Sequence, residues 1–449
     1  MMIGKRLIRL LTALIPAKGA RKRVRARWLA RAQAARLARL VPRLRARYAE
    51  LAAACRGKLA RGERLRVAFL VCDASMFSAE SVYARMKGDP RFDCFIAVAA
   101  RVTRGADFLR ETLEKTVGQL TAKFGGVRCL YDVRTGRAES LEGQADIVFS
   151  SIVYEDQCGP LYTTEALARF ALVACLYYGY GGLFKSNEVK TPFLPNIVGA
   201  WRYFVSNEAT RAMSVARNPL LAANIVAVGY TKMDRLETVK ASVPETAGRR
   251  KKVLVCPHHT IDADAEGLRL STFLANADLF LRLPKMFPEI DFVFRPHPLL
   301  FPRLATAKWW GAERAAAYRA ALAAEPNVEF QQGGDYFRSF AESDALVHDC
   351  GSFLAEYFYT GKPQCYLLES DRTVEEQFLP FSRRLLEHAY RAYSEAEVVD
   401  FLRRVVLAGD DPMREGRAAF ARREVCVNHP DATGGLVGAV IKGIEEGEP

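Results

Sequence analysis

Apolar and polar positions alternate along this chain in blocks of two different periods. Four short, uninterrupted apolar runs read as buried strands: LRVAFLVCD (65–73), FDCFIAVAA (92–100), ADIVFSSIV (145–153) and ALVACLYYG (171–179). Stretches with helical spacing lie between them, including Phe108 to Leu120 and Thr164 to Phe170. Apolar strands alternating with helices predict a doubly wound parallel sheet, because crossover helices cover both faces. Residues Ser242 to Arg250, with Pro244 and Gly248, read as a linker. A second alternation follows: KKVLV, a helix over 271–286, IDFVF, a helix over 312–323, NVEF, a helix over 335–342, ALVHD, a helix over 352–359, and PQCYLL. Helices over 395–425 close the chain, and a C-terminal helix is expected to return to the first domain. At 449 residues the chain is too long for one ordinary core. The expected architecture is α/β, with two Rossmann-like domains (63–241 and 250–395) facing a cleft. A helical extension (1–62) precedes them and closing helices (396–449) follow.

Charge separates the extension from the rest. The chain carries a net +14, but residues 1–62 hold eighteen Lys/Arg against one acid, Glu50, so the remaining body is near neutral at −3. Within the extension Ile3, Leu7, Leu10, Leu11, Leu14 and Ile15 recur at helical spacing up to Pro16, and a second stripe runs Leu37, Leu40, Val41, Leu44, Tyr48 and Leu51, with Pro42 a possible kink point. Basic amphipathic helices of this kind lie on anionic membrane surfaces; the competing expectation is that the stripe packs on the body. No reader motif accompanies the charge, so nucleic acid is not an expected partner. Arg9 interrupts the first apolar stretch and basic residues follow it, unlike a secretory leader, and no run approaches the roughly 20 apolar residues of a bilayer span. Ten cysteines without a C-x-x-C pair suit a reducing cytoplasm. The expected location is therefore the cytoplasmic face of the cell membrane, as a peripheral protein.

Candidate chemistry concentrates after three strands of the second domain. Pro257-His258-His259-Thr260 follows KKVLVC, Arg295-Pro296-His297-Pro298 follows IDFVF, and His348-Asp349-Cys350-Gly351-Ser352 follows SDALV. Of six histidines none precedes His258, and four fall in these groups. Polar residues at one edge of a parallel sheet are how such folds build ligand sites. Arg295 supplies a planar fork for phosphate oxygens and His297 a proton donor or shuttle. Gly351 would let a phosphate approach the backbone, Ser352 would open a helix whose N–H groups face the anion, and Glu356 would reach a ribose or polyol hydroxyl. Asp349 is a cap in the alternative reading. His258 and His259 are adjacent, so from an extended chain they should point different ways; either is a candidate general base. His348 reads as structural. No metal is expected, since no H-x-x-x-H or carboxylate–histidine spacing is present, and no cofactor is expected. Tyr178 and Gly179, at a strand end of the first domain, are candidates for the opposite wall of the cleft.

Taken in order, VGYTKMDRL (228–236), VLVCPHHT, FRPHP and HDCGSFLAEYFYTGKP resemble the CDP-glycerol glycerophosphotransferase family, the teichoic-acid and capsule polymerases with a GT-B-like fold. The resemblance covers roughly residues 170–370. It implies a CDP-linked donor whose diphosphate meets Arg295 and His297, with Asp349, Gly351 and Ser352 lining the phosphate or polyol site. It also implies a lipid-linked or glycan acceptor at the membrane. Many members carry Trp-His-Gly in the first domain, with the histidine as base; here the corresponding place reads Tyr177-Tyr178-Gly179. That departure moves the expected base to His258 or His259. Three functions remain open at this level: a polyol-phosphate transferase, a GT-B glycosyltransferase using a CMP- or UDP-sugar, and a non-catalytic membrane-bound scaffold.

Overall fold

Two wholly parallel sheets are laid down one after the other. The computed structural model describes residues 18–447 apart from 104, 153, 177–178, 245–247 and 265–266. The first sheet contains β1 (Leu65–Val71), β2 (Phe92–Val98), β3 (Arg128–Cys129), β6 (Ile147–Ser150), β7 (Leu172–Leu176), β8 (Arg202–Val205) and β9 (Ile225–Ala227), in the order β3-β2-β1-β6-β7-β8-β9. A small antiparallel hairpin, β4 (Tyr131–Asp132) and β5 (Arg137–Ala138), follows β3. The second sheet contains β10 (Lys251–Cys256), β11 (Ile290–Phe294), β12 (Val328–Phe330), β13 (Ala345–His348), β14 (Gln364–Leu367) and β15 (Tyr390–Ala392), in the order β12-β11-β10-β13-β14-β15. Each order reverses direction once, between β1 and β6 and between β10 and β13. At such a reversal adjacent crossover helices leave on opposite faces, opening a crevice beyond the strand ends. β8, β9 and β15 lie outside the apolar runs read from sequence; at three or four residues each they are too short to show a period.

The helix Lys18–Ala60 corrects one expectation about the extension. Leu37, Val41, Leu44, Tyr48, Ala52 and Cys55 are buried in the core of the first sheet. Tyr48 donates its hydroxyl to the Gly199 carbonyl at 2.8 Å, and Lys58 pairs with Asp146 at 2.8 Å. The second apolar stripe therefore packs on the body, because a sheet face left open would expose far more apolar area than one stripe. The helix runs unbroken through Pro42, which lies on its exposed side. The stripe over 3–15 lies outside the described residues. Among the described residues no helix is long and apolar enough to cross a membrane.

The C-terminal helix Ala432–Glu446 returns to the first sheet, burying Leu436, Val437, Val440 and Ile444 there. The segment 228–236 makes this return possible. Gly229 has φ +96°, and a Cβ on it would stand 2.2 Å from the Val427 carbonyl oxygen, so only glycine fits. Asp234 accepts from the N–H groups of Ala432 (3.2 Å) and Thr433 (2.7 Å), at the start of that helix. A third core belongs to both domains. Tyr180, Leu183, Phe184 and Tyr230 pack there with Leu354, Phe378, Phe381 and Phe420. The Leu183 carbonyl accepts from the Leu379 N–H at 3.0 Å, and the Phe184 and Phe378 ring centres lie 5.1 Å apart.

Candidate functional site

The central strands β10 and β11 continue their ladder past the last strand residue. The Arg295 N–H donates to the Val255 carbonyl and the His297 N–H to the Pro257 carbonyl, each at 2.9 Å. That pairing seats His297 beside the Pro257–Thr260 turn. The turn is closed by the Ile261 N–H on the His259 carbonyl at 2.9 Å, and the chain bends at His259. Their rings do not diverge, contrary to the sequence expectation. Ring centres are 4.4 Å apart for His258–His259, 5.1 Å for His258–His297 and 4.0 Å for His259–His297, the last pair nearly stacked at 28°. One ring nitrogen from each lies within 4.8 Å of the others.

Asp349 holds this turn in place. It is fully buried; one carboxylate oxygen accepts from the His258 N–H and the other from the Thr272 N–H and hydroxyl, the latter at 3.0 Å. Burial pushes its carboxyl up to about 6, and the hydrogen bonds from Thr272 and His258 restrain the rise. Both oxygens are thus occupied, and Asp349 positions the histidine turn instead of lining a phosphate site. Arg295 is corrected in the same way. Its guanidinium is buried and donates to Gln331 Oε1 (2.8 Å) and to the Gly333 and Gly334 carbonyls (2.7 and 2.5 Å), so it orders the 331–334 loop.

The third group changes most. Gly351 is covered by Phe184 from the first domain: a Cβ would lie 2.9 Å from the Phe184 Cε2, so the small residue accommodates a ring and not a phosphate. Glu356 is buried and accepts from the Tyr230 hydroxyl at 3.1 Å and the Tyr336 hydroxyl at 2.5 Å, leaving it no reach to a polyol. Ser352 is partly exposed at the start of the short helix Phe353–Glu356, and its hydroxyl does not cap that helix. His348 is buried against Tyr366 with Nε2 2.9 Å from Gln364 Oε1, and burial pulls it down to about 3. Tyr178 lies outside the described residues. Gly179 borders a small cavity with Ser78, Gly181, Ser206 and Thr210, beyond the carboxyl ends of β7, β8 and β9.

Sequence reasoning missed Arg303. It sits on the helix Leu300–Leu304, donates to the His259 carbonyl at 3.3 Å and pairs with Asp262 at 3.0 Å. A basic residue one helical turn beyond the Arg-Pro-His-Pro group was the available signal. Burial pulls the His297 and His259 imidazoles down to about 4, with His259 and Arg303 adding for His297 and Arg303 for His259; burial, with His259, His297 and Arg303 adding, also pulls His258 well below the ordinary imidazole value. All three are therefore neutral near pH 7. They are weaker proton acceptors than an ordinary imidazole, and an anion beside them would oppose the shift. The arrangement offers ring nitrogens as hydrogen-bond donors, proton acceptors or metal ligands.

No family model and no curated protein sequence matches this chain. Solved structures do match. The wall teichoic acid polymerase TagF, soaked with CDPG, aligns with a TM-score of 0.55 at 13% identity, over 93% of this chain and 98% of that one. The UDP-GlcNAc 2-epimerase of Neisseria meningitidis bound to UDP-GlcNAc aligns at 0.51 and 12%, over 84% and 100%. A putative UDP-N-acetylglucosamine 2-epimerase of Listeria monocytogenes gives 0.51 and 12%, over 86% and 98%. At these identities the likeness is one of fold: the chain is built from two Rossmann-like domains in the GT-B arrangement, with a helical N-terminal segment.

Proposed function

We propose that this chain is a transferase moving glycerol phosphate, or a related polyol phosphate, from a CDP-linked donor to a glycan or lipid-linked acceptor in cell-surface polysaccharide synthesis. The observation carrying this reading is the convergence of His258, His259 and His297 at the carboxyl edge of the second sheet, beside the β10/β13 reversal. The order of the sequence motifs and the fold shared with TagF support it. In this reading His297 and Ser352 meet the donor phosphates. Arg295, Asp349 and Glu356 act by positioning. The acceptor oxygen bonds to the phosphorus next to the polyol, the bond from that phosphorus to the bridging oxygen breaks, and CMP leaves with the electron pair. His258 or His259 takes the hydroxyl proton, becoming a better base as the anionic donor raises its proton affinity.

A second reading, a glycosyltransferase using a UDP- or CMP-sugar, is supported by the fold shared with the UDP-GlcNAc-bound epimerase. Thermal shift with CDP-, CMP- and UDP-linked compounds separates the donors, since a ligand bound only by the native state raises stability. Product analysis then decides the chemistry: a new phosphodiester supports the first reading, and a glycosidic bond without phosphorus overturns it. If His297→Ala and Ser352→Ala leave polymer synthesis intact, the chain is a scaffold.

The exposed side of the helix Lys18–Ala60 supports a membrane location on the cytoplasmic face. It presents Arg31, Arg39, Arg43 and Trp28, the last 50% exposed. Flotation with anionic liposomes that weakens as salt rises is the expected result.

A further inference from the structure

Three imidazoles in mutual contact need a common partner. His258, His259 and His297 each bring a ring nitrogen within 4.8 Å of the others, yet no hydrogen bond links them among the described residues. His259 Nδ1 is buried and has no hydrogen-bond partner. A buried polar nitrogen left this way costs stability unless a water or a ligand takes it. We propose that these three histidines form a binding site for a zinc-class divalent cation, with an open coordination position toward the carboxyl edge of the second sheet.

The donor set selects the ion. Imidazole nitrogens suit zinc and its transition-metal neighbours, whereas magnesium and calcium require oxygen ligands. Three protein ligands with one position left open is the coordination of a reactive zinc centre, not of a closed structural one. Zinc–nitrogen bonds of about 2.0–2.1 Å at tetrahedral angles place the nitrogens about 3.3 Å apart. The longest separation must therefore contract by about 1.5 Å, which small rotations of two half-buried rings supply. Metal binding requires neutral imidazoles, and a cation here would share the turn with Arg303, which donates to the His259 carbonyl. The Arg303 charge is itself offset by Asp262, which Lys308 also meets, and Asp264 acts on His259 with the opposite sign.

Ligation would set the proton positions. His258 Nδ1 lies 2.8 Å from Thr260 Oγ1 and 3.4 Å from the Thr260 N–H, which it accepts; ligation through Nε2 would have Nδ1 donate to Thr260 Oγ1 and give up the longer contact. His297 Nδ1 accepts the Leu299 N–H at 3.1 Å within one turn. Ligation would shift the tautomer and release that N–H to water, since Leu299 is 52% exposed. On the donor reading proposed above, the open position would take the phosphate oxygen in place of His297, with the cation acting as a Lewis acid, and His258 and His259, once ligating, would leave the acceptor proton to water.

The test uses the full chain, stripped with a chelator and dialysed separately against zinc and magnesium. Elemental analysis is expected to find one zinc per chain and no retained magnesium. Cobalt substitution should give the visible bands of a tetrahedral site without sulfur-to-cobalt charge transfer. His259→Gln and His297→Gln should each weaken zinc binding at least tenfold, whereas Cys129→Ser should not. Unchanged zinc affinity in both histidine variants overturns the site. If those variants do not fold, cobalt–sulfur charge transfer in the natural chain overturns it instead. CDP binding is measured with and without zinc. CDP stabilisation in a chain that takes up no zinc removes the cation site and leaves the donor reading standing. Histidine-dependent zinc uptake with no effect on CDP affinity removes only the bridging role.

Discussion

Gly351 sits beneath the Phe184 ring, which a methyl group in its place would have to displace by several tenths of an ångström. Phe184 is held by Phe378 and by the shared core, so it cannot move freely. Gly351→Ala is therefore expected to cost about 1–3 kcal/mol of stability, as overpacking does. Thermal or urea denaturation measures it, and an unchanged midpoint would show that the ring yields. Glu356 makes the complementary case. Glu356→Ala strips the acceptor from the buried Tyr230 hydroxyl and the half-buried Tyr336 hydroxyl, at roughly 1–3 kcal/mol for a buried one left unpaired. The same variant should keep its nucleotide-induced thermal shift. A lost shift at unchanged stability would restore the ligand-contact role read from sequence.

At the scale of elements, the helix Lys18–Ala60 has two faces with separable duties. Val41→Asp places a charge in the core of the first sheet and should unfold or aggregate the chain. Arg39→Glu with Arg43→Glu should leave the melting temperature unchanged and reduce liposome flotation. The junction of the C-terminal helix adds a pH dependence. Burial pulls the His429 imidazole down, but the Asp234 carboxylate 3.7 Å away and the hydrogen bond to Glu237 outweigh it and raise its pKa above the ordinary 6.5. Lys240 beside Glu237 and the Tyr359 ring are its other near neighbours. A raised folded value means that the contribution is complete below pH 6.5 and is lost as pH rises through the folded pKa. His429→Gln should thus be less stable than the natural chain near pH 6, and the gap should narrow by pH 9 in urea titrations.

Across the whole molecule, the third core joins both sheets through Tyr180, Leu183, Phe184 and Tyr230. An apolar interface of this kind couples the domains more strongly than a polar hinge. Calorimetry should show one cooperative transition for both domains; two well-separated transitions would overturn that coupling. The same core limits which motif residues can meet a ligand. Gly351 and Glu356 lie within it or on its edge, while the three histidines lie beyond it.

The amino-acid pattern by itself determined two parallel α/β sheets and the basic helix before them. Those features follow from local period and charge, and the period shows wherever a strand is long and wholly apolar. The three strand-end groups were legible for the same reason, since a parallel strand must deliver its next residues to one edge. What each residue does there was decided by tertiary structure. Arg295, Asp349, Gly351 and Glu356 all sit where the sequence places them, yet each is occupied by a partner from 36 or more positions away or by Phe184 from the other domain, apart from the nearer Tyr336 on Glu356. The histidine cluster escaped spacing rules because His258 and His297 are joined by strand pairing and not by adjacency. Partners distant in sequence meet only when the sheets assemble, so a motif specifies the position of a side chain before it specifies its neighbours.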